Sequence, residues 1–207
     1  MRRSMLIAVA ITGAATLSAA ERKVTFEQDA VGQPPAGFVF GHTARVGAPG
    51  KWVVQQEGGG KYLAQVDTDR TDSRFAVAVL DDSRAADVDL SVRLRPVSGR
   101  VDQAAGLVWR VQDEDNYYLV RANALENNVV LYTVQGGKRT DLPLKGEGRT
   151  YGKKADVPSG RWSTLRVVAT TAAGARTGLF VPDQDRLYVA VPHRGSQRAE
   201  VRVYEPR

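Results

Sequence analysis

The chain has 207 residues, of which 43% are hydrophobic, 25% charged and only 7% aromatic, and it contains no cysteine. A chain of this length can bury a substantial core without cross-links, and the lack of thiols excludes disulfide scaffolds, iron–sulfur clusters and cysteine nucleophiles. The formal net charge is +6, but the basic residues are spread singly along the chain, which argues against nucleic acid as a partner.

The first twenty residues are typical of a secretory signal peptide. Arg2 and Arg3 form a basic start, residues 5–17 form an apolar run, and Ser18-Ala19-Ala20 supplies the small residues that signal peptidase reads. The run is shorter than the roughly 20 residues that span a membrane, so an uncleaved anchor is the less favoured alternative. We expect cleavage before Glu21, which lowers the net charge by two to +4, and a periplasmic or extracellular location in a bacterium.

The rest of the chain predicts an all-β protein. No stretch of ten or more residues has helical spacing, and short alternating runs recur between Gly, Pro, Asp and Asn. Residues 51–55 and 62–66 flank a glycine-rich loop, which favours a hairpin over a phosphate cradle because no Gly-Lys-Ser/Thr follows. Residues 75–80 form a nearly continuous apolar run, as expected for a strand covered on both faces.

The strongest strand pattern lies in the middle of the chain. In residues 87–95 the apolar positions alternate with polar ones, which places one face on a core and the other in water; the apolar positions are Val88, Leu90, Val92 and Leu94. Runs at 104–111, 117–122 and 129–134 have short connections, which predicts an antiparallel meander. Further strands are predicted at 138–142 and 161–168. About a dozen short strands at this spacing indicate a sandwich or barrel.

Three segments carry a family resemblance, namely Asp89-Leu90-Ser91-Val92-Arg93, Gly106-Leu107-Val108-Trp109-Arg110 and residues 115–126. They resemble the concanavalin A-like lectin/glucanase jelly rolls, and more narrowly the exported bacterial domains of the 3-keto-disaccharide hydrolase, family 16-like type. The resemblance covers about residues 22–168. It implies a jelly-roll β-sandwich over residues 21–168 that binds or cleaves a carbohydrate.

Residues 169–207 do not continue this family pattern. They resemble the last blade of a YVTN-type β-propeller, but two or three strands cannot close a propeller. We interpret the chain as a junction, either a gene fusion or a frame error, in which a short β tail follows a jelly roll that lacks its last strands. The alternative is an intact family variant whose last strands have diverged.

The resemblance also suggests a ligand-binding set on the concave sheet: Trp109, Arg110, Tyr117, Tyr118, Arg121 and Asn123. An aromatic ring can stack on a sugar face while guanidinium and amide groups bind its hydroxyls. Tyr117 and Tyr118 are adjacent and must face opposite sides of a strand, and periodicity does not show which one is buried. The competing interpretation is a core Trp109 with solvated arginines.

Evidence for catalysis is weaker. The Glu-x-Asp-x-x-Glu motif that family 16 glucanases use is absent, and the weak catalytic candidates are Glu126 and Asp115, both in predicted turns. Solvated turn acids are the favoured interpretation. No cofactor is predicted, although Asp87 and Asp89 could contribute oxygen ligands to calcium. Three hypotheses follow, an exported carbohydrate-binding or accessory domain, a glycoside hydrolase, and a non-functional fusion product.

Overall fold

A computed structural model describes residues 21–83, 85 and 87–169, and the backbone of three strands within 177–204. The predicted signal peptide lies outside the described residues. The described chain is all-β, with one 3-10 turn at Thr43–Arg45. Its strands are β1 (Phe38–His42), β2 (Trp52–Glu57), β3 (Gly60–Gln65), β4 (Ala76–Leu80), β5 (Val88–Leu94), β6 (Ala104–Asp113), β7 (Asn116–Asn123), β8 (Asn128–Gln135), β9 (Lys138–Asp141), β10 (Lys153–Lys154), β11 (Ser163–Ala169), β12 (Thr177–Val181), β13 (Arg186–Val191) and β14 (Glu200–Tyr204).

All the pairings between these strands are antiparallel. One sheet has the order β10-β8-β7-β6, and β9 also pairs with β8. The consecutive pairing of β6, β7 and β8 confirms the meander that the short connections predict. Within the part of the chain that the structure describes, no helix is long and apolar enough to cross a membrane.

A second sheet has the order β14-β13-β12-β11-β5. Strand β11 pairs with β5 along one edge and with the tail strand β12 along the other, so the tail strands extend this sheet by main-chain hydrogen bonds. The three tail strands therefore belong to a sheet that also contains β5. Two two-stranded antiparallel sheets complete the described strands, the hairpin of β2 with β3 and the pairing of β1 with the distant β4.

The main core lies between the β5–β11 strands and the β6–β8 strands. Val120, Val167 and Ala169 are fully buried there, and Leu94 and Leu165 are nearly so. Strand β5 alternates between partly buried and exposed positions, as its sequence predicts, and Val88, Leu90 and Val92 pack on this core. Full burial of each such side chain contributes roughly 1.5–3 kcal/mol, so this cluster is a large source of stability for the fold.

Candidate ligand-binding site

The β6–β8 sheet has two faces, and strand register assigns each residue to one of them. Residues paired directly across an antiparallel ladder share a face. Arg121 pairs with Gly106 on β6 and with Val130 on β8, while Asn123 pairs with Ala104 and Asn128. These residues therefore lie on the face opposite to the main core, which we call the outer face.

One half of the outer face is apolar and covered. Val77 of β4 packs there against Tyr117 and Val134, with Val108 and Leu119 at its edge. The other half carries Arg121 and Asn123, beyond the reach of that cluster. The candidate site is this polar half.

Arg121 is the centre of the polar half. Its side chain is only 6% exposed, yet it carries a full charge and is paired with two carboxylates, Asp102 at 3.4 Å and Glu126 at 2.5 Å. The terminal nitrogen of Arg121 that binds Glu126 also donates to the amide oxygen of Asn128, at 3.2 Å. The Nε of Arg121 is buried without a hydrogen-bond partner among the described residues. A buried donor left unpaired costs about 1–3 kcal/mol, so this nitrogen lowers the stability of the cluster.

Two asparagines fix the positions of the carboxylates. Asn123, which is 1% exposed, donates its amide to Asp102 and accepts a hydrogen bond from the Leu125 backbone at 3.0 Å. Asn128 donates to Glu126 at 2.9 Å. The turn after β7 is thereby tied to the site, so both carboxylates are held in place before any ligand arrives.

Two tyrosine rings form a wall beside Arg121. The guanidinium lies 5.6 Å from the ring centre of Tyr132 and 5.8 Å from that of Tyr151, both within cation–π range. The two rings meet edge to face at 6.1 Å. Tyr132 is 2% exposed, whereas Tyr151 is 43% exposed and presents its ring to solvent.

The backbone that positions Tyr151 is strained. Tyr151 has φ 55°, a left-handed conformation that costs a non-glycine residue of order 1 kcal/mol. The next residue, Gly152, has φ 80° and packs so tightly that a Cβ would lie 2.3 Å from the carbonyl oxygen of Val129. Only glycine fits at this position, and it clamps the Tyr151 turn against β8.

Burial also shapes the ionisation of this cluster. It is the largest cause of the raised pKa of Tyr132, and the neighbouring Tyr151 side chain is the second. Burial alone would lower the pKa of Arg121, but the electrostatic effects of Tyr132, Asp102 and Glu126 outweigh it and the pKa is raised. The site therefore holds a fixed guanidinium charge beside the buried Tyr132 phenol, whose raised pKa keeps it neutral.

The strand next to Arg121 leaves open space. On β6 the residues of the outer face near Arg121 and Asn123 are Gly106 and Ala104, and both are exposed. Gly106 cannot be replaced without a backbone shift, because a Cβ there would lie 1.9 Å from the carbonyl oxygen of Val120. We call Ala104 and Gly106 the β6 shelf. It gives a ligand a flat approach to the carboxylates.

The structure divides the six predicted ligand-binding residues. Arg121 and Asn123 lie together in the polar half. Trp109 and Tyr118 lie on the opposite face and stack on each other at 6.0 Å in the main core, and Trp109 is only 3% exposed. We therefore remove both from the ligand-binding set, since the inner face is filled by the other sheet.

Tyr117 shares the outer face but not the site. It is 3% exposed in the apolar half, and its hydroxyl lies 2.5 Å from that of Thr43. Burial is the largest cause of its raised pKa. Arg110 occupies the bulge of β6 with φ 51° and has interactions of its own. Neither residue is placed beside Arg121.

The two weak catalytic candidates lie at opposite ends of β7. Asp115 precedes the strand, and Glu126 follows it. Eight strand residues separate their ends by roughly 25 Å at about 3.3 Å per residue, whereas a glycosidase pair needs about 5–10 Å. The Asp115 carboxylate instead accepts a hydrogen bond from the Ala44 backbone at 2.6 Å. The two carboxylates therefore do not lie together as an acid and a nucleophile would.

The calcium candidates show a different use of their carboxylates. Both oxygens of Asp89 accept hydrogen bonds from Arg166, and this contact lowers the pKa of Asp89. Asp87 has a partner of its own. Within residues 21–83, 85 and 87–169, no three His, Asp or Glu side chains are grouped as a metal site would require.

Sequence reasoning missed several members of the site. These are Asp102, Asn128, Tyr132 and Tyr151. Tyr132 belongs to a predicted strand, but the others lie in turns or at a strand end. These residues come close to Arg121 only through the pairing register of the strands and the fold of the loop after β9. No spacing in the sequence therefore predicts that they form one site.

The class of protein that this architecture defines is an all-β protein with a buried arginine–carboxylate cluster on one sheet face. Comparison with known proteins adds no narrower assignment, because no family model, no curated protein and no solved structure matches the chain.

Proposed function

We propose that the protein is an exported carbohydrate-binding or accessory domain, built as a jelly-roll β-sandwich, and that the polar half of the outer face is its glycan site. The observation that carries the proposal is the buried guanidinium of Arg121. It is held by Asp102 and Glu126, whose side chains are partly exposed, and lies beside Tyr151, which is 43% exposed. A flat apolar ring with a few fixed polar groups is the usual composition of a small-molecule site.

Binding without cleavage is favoured over glycoside hydrolysis. Retaining and inverting enzymes both need one carboxyl group that arrives protonated to serve as general acid. The two carboxylates nearest the site, Asp102 and Glu126, both accept hydrogen bonds from Arg121. Because both act as acceptors for a guanidinium, the arrangement suits the recognition of hydroxyl groups better than the transfer of a proton.

The proposal is tested by a glycan array probed with the full chain, followed by titration of the best ligand. We expect Tyr151→Ala to weaken binding at least tenfold, because the stacking surface is lost. Trp162→Ala is the matched control, since Trp162 is exposed to a similar extent, 38%, but contacts Arg93 and Arg95 elsewhere. Absence of binding to every glycan, or equal losses in both variants, would overturn the proposal. Release of reducing sugar by the wild-type chain would favour the hydrolase instead.

A further inference from the structure

We infer that the site selects uncharged or amino sugars that lie on the β6 shelf and rejects acidic sugars. This inference rests on the proposed function and adds to it the chemical class of the ligand. It depends on the charges at the mouth of the site, on the partly exposed acceptor groups there, and on the shape of β6.

The mouth of the site carries an excess of negative charge. Arg121 supplies one positive charge against two negative charges, those of Asp102 and Glu126. The guanidinium is 6% exposed, while the side chains of Asp102 and Glu126 are 35% and 39% exposed. A ligand therefore meets the two carboxylates before it meets the buried cation, and a ligand carboxylate or sulfate would be repelled by them.

Two further cations, Arg139 and Lys154, lie close to the cluster. Arg139 is directed at other rings, with its guanidinium 3.8 Å from the centre of Phe75 and 4.5 Å from that of Tyr132. Lys154 is aligned with Asn128 one strand further from Arg121, and it has an interaction of its own.

The exposed polar atoms of the cluster include acceptors. The hydrogen bonds from Arg121 and Asn128 to the Glu126 carboxylate both use Oε2, and the Glu126 side chain is 39% exposed. The contact of Asp102 Oδ2 with Arg121 is long, at 3.4 Å. Sugar hydroxyls and ammonium groups are donors that such oxygens bind well.

The β6 shelf determines where the ring lies. Ala104 and Gly106 are in register with Asn123 and Arg121, and β6 is the last strand at this side of its described sheet. Nothing larger than a methyl group projects from these two positions. A sugar ring placed on them would direct its hydroxyls at Asp102 and Glu126.

The experiment uses the full chain and two matched series of oligosaccharides, one of glucose, glucosamine and glucuronate and one of galactose, galactosamine and galacturonate, at constant ionic strength. In the series that binds, we expect the acidic oligomer to bind at least tenfold more weakly than the neutral one. Glu126→Gln removes one negative charge at constant shape, and it should narrow this ratio at least threefold. An acidic oligomer that binds as tightly as the neutral one overturns the inference but leaves the proposed function standing. Absence of binding in both series also overturns the inference, whereas absence of binding to every glycan on the array overturns the proposed function as well.

A second pair of variants tests the position of the ligand. Ala104→Trp should weaken the affinity for the neutral oligomer at least tenfold, because the indole would occupy the β6 shelf. Thr164→Trp is the control, since Thr164 is an exposed strand residue of the other sheet. Unfolding midpoints of both variants show whether each still folds. Unchanged affinity in a folded Ala104→Trp variant would overturn the placement on β6.

Discussion

The buried position of Arg121 predicts an asymmetry between removal of the cation and removal of its partners. In the variant Asp102→Asn/Glu126→Gln both negative charges are lost, while the amides still accept hydrogen bonds. The guanidinium, 6% exposed, then remains buried without a counter-charge. Removing one partner of a buried ion pair costs about 3–5 kcal/mol of unfolding free energy. Because the amides still accept hydrogen bonds, we expect the double variant to lose about 2–4 kcal/mol.

The reverse change is expected to cost less. In Arg121→Met the cation is replaced by a side chain of similar length, and the carboxylates that remain are more than one third exposed and can be hydrated. Each half-exposed ion pair is worth only about 0–1 kcal/mol, so we expect a loss of about 1 kcal/mol. The triple variant Arg121→Met/Asp102→Asn/Glu126→Gln has no unpaired charge and should be more stable than the double variant.

Urea unfolding followed by far-ultraviolet circular dichroism measures these differences as a coupling free energy. If the free energies of unfolding were additive, the triple variant would be less stable than the double variant by the full cost of Arg121→Met. That result would mean that the three charges do not interact, and it would contradict the prediction. The prediction is also refuted if the double acid variant has wild-type stability, because the guanidinium would then be solvated.

Three further predictions concern the fold around the site. Gly106→Ala should lower the unfolding midpoint strongly, because its Cβ would lie 1.9 Å from the Val120 carbonyl oxygen, whereas Gly60→Ala, whose nearest atom is 4.0 Å away, should not. Val120→Ala should cost about 2–3 kcal/mol by urea unfolding, and Val97→Ala, 63% exposed, should stay within about 0.5 kcal/mol. The pKa of Asp69 is lowered to about 2 by hydrogen bonds from Thr71 and Ala48. The stability that the Asp69 carboxylate contributes is therefore present above about pH 4 and is lost as the pH falls towards 2. In a pH series of unfolding midpoints, Asp69→Asn should reduce this loss of stability in acid, and an unchanged slope would contradict the prediction.

The strands of the β5–β8 region could be predicted because local pattern and global fold agree there. The alternation in 87–95 reflects one covered and one exposed face, and β5 follows it residue by residue. The meander follows from connection lengths alone. The pairing of β1 with β4 and of β11 with β12 could not be predicted in the same way, since it joins segments without a short turn or a distinctive alternation.

The two adjacent tyrosines show where alternation loses its information. Periodicity alone does not show which of Tyr117 and Tyr118 is buried. In the structure Tyr117 packs against Val77 of β4, and Tyr118 packs on the main core. Both faces of the sheet are covered at this end. Side chains still alternate in direction along the strand, but residues on both faces are apolar, so polarity does not alternate with them. A sequence pattern cannot reveal a cover that comes from a distant strand.

The same partial cover explains why the candidate site lies where it does. Val77 and its neighbours on β4 cover the outer face only as far as Leu119, and there the residues of the face are apolar. Two positions further along β7 the face changes to Arg121 and Asn123, with Gly106 and Ala104 beside them. Polar groups in a sheet interior are costly unless they are paired or hydrated. Arg121 and Asn123 are only 5% and 1% exposed and are paired with Asp102 and Glu126. The exposed positions at this end of the sheet are Ala104 and Gly106, so a ligand would have to approach from β6.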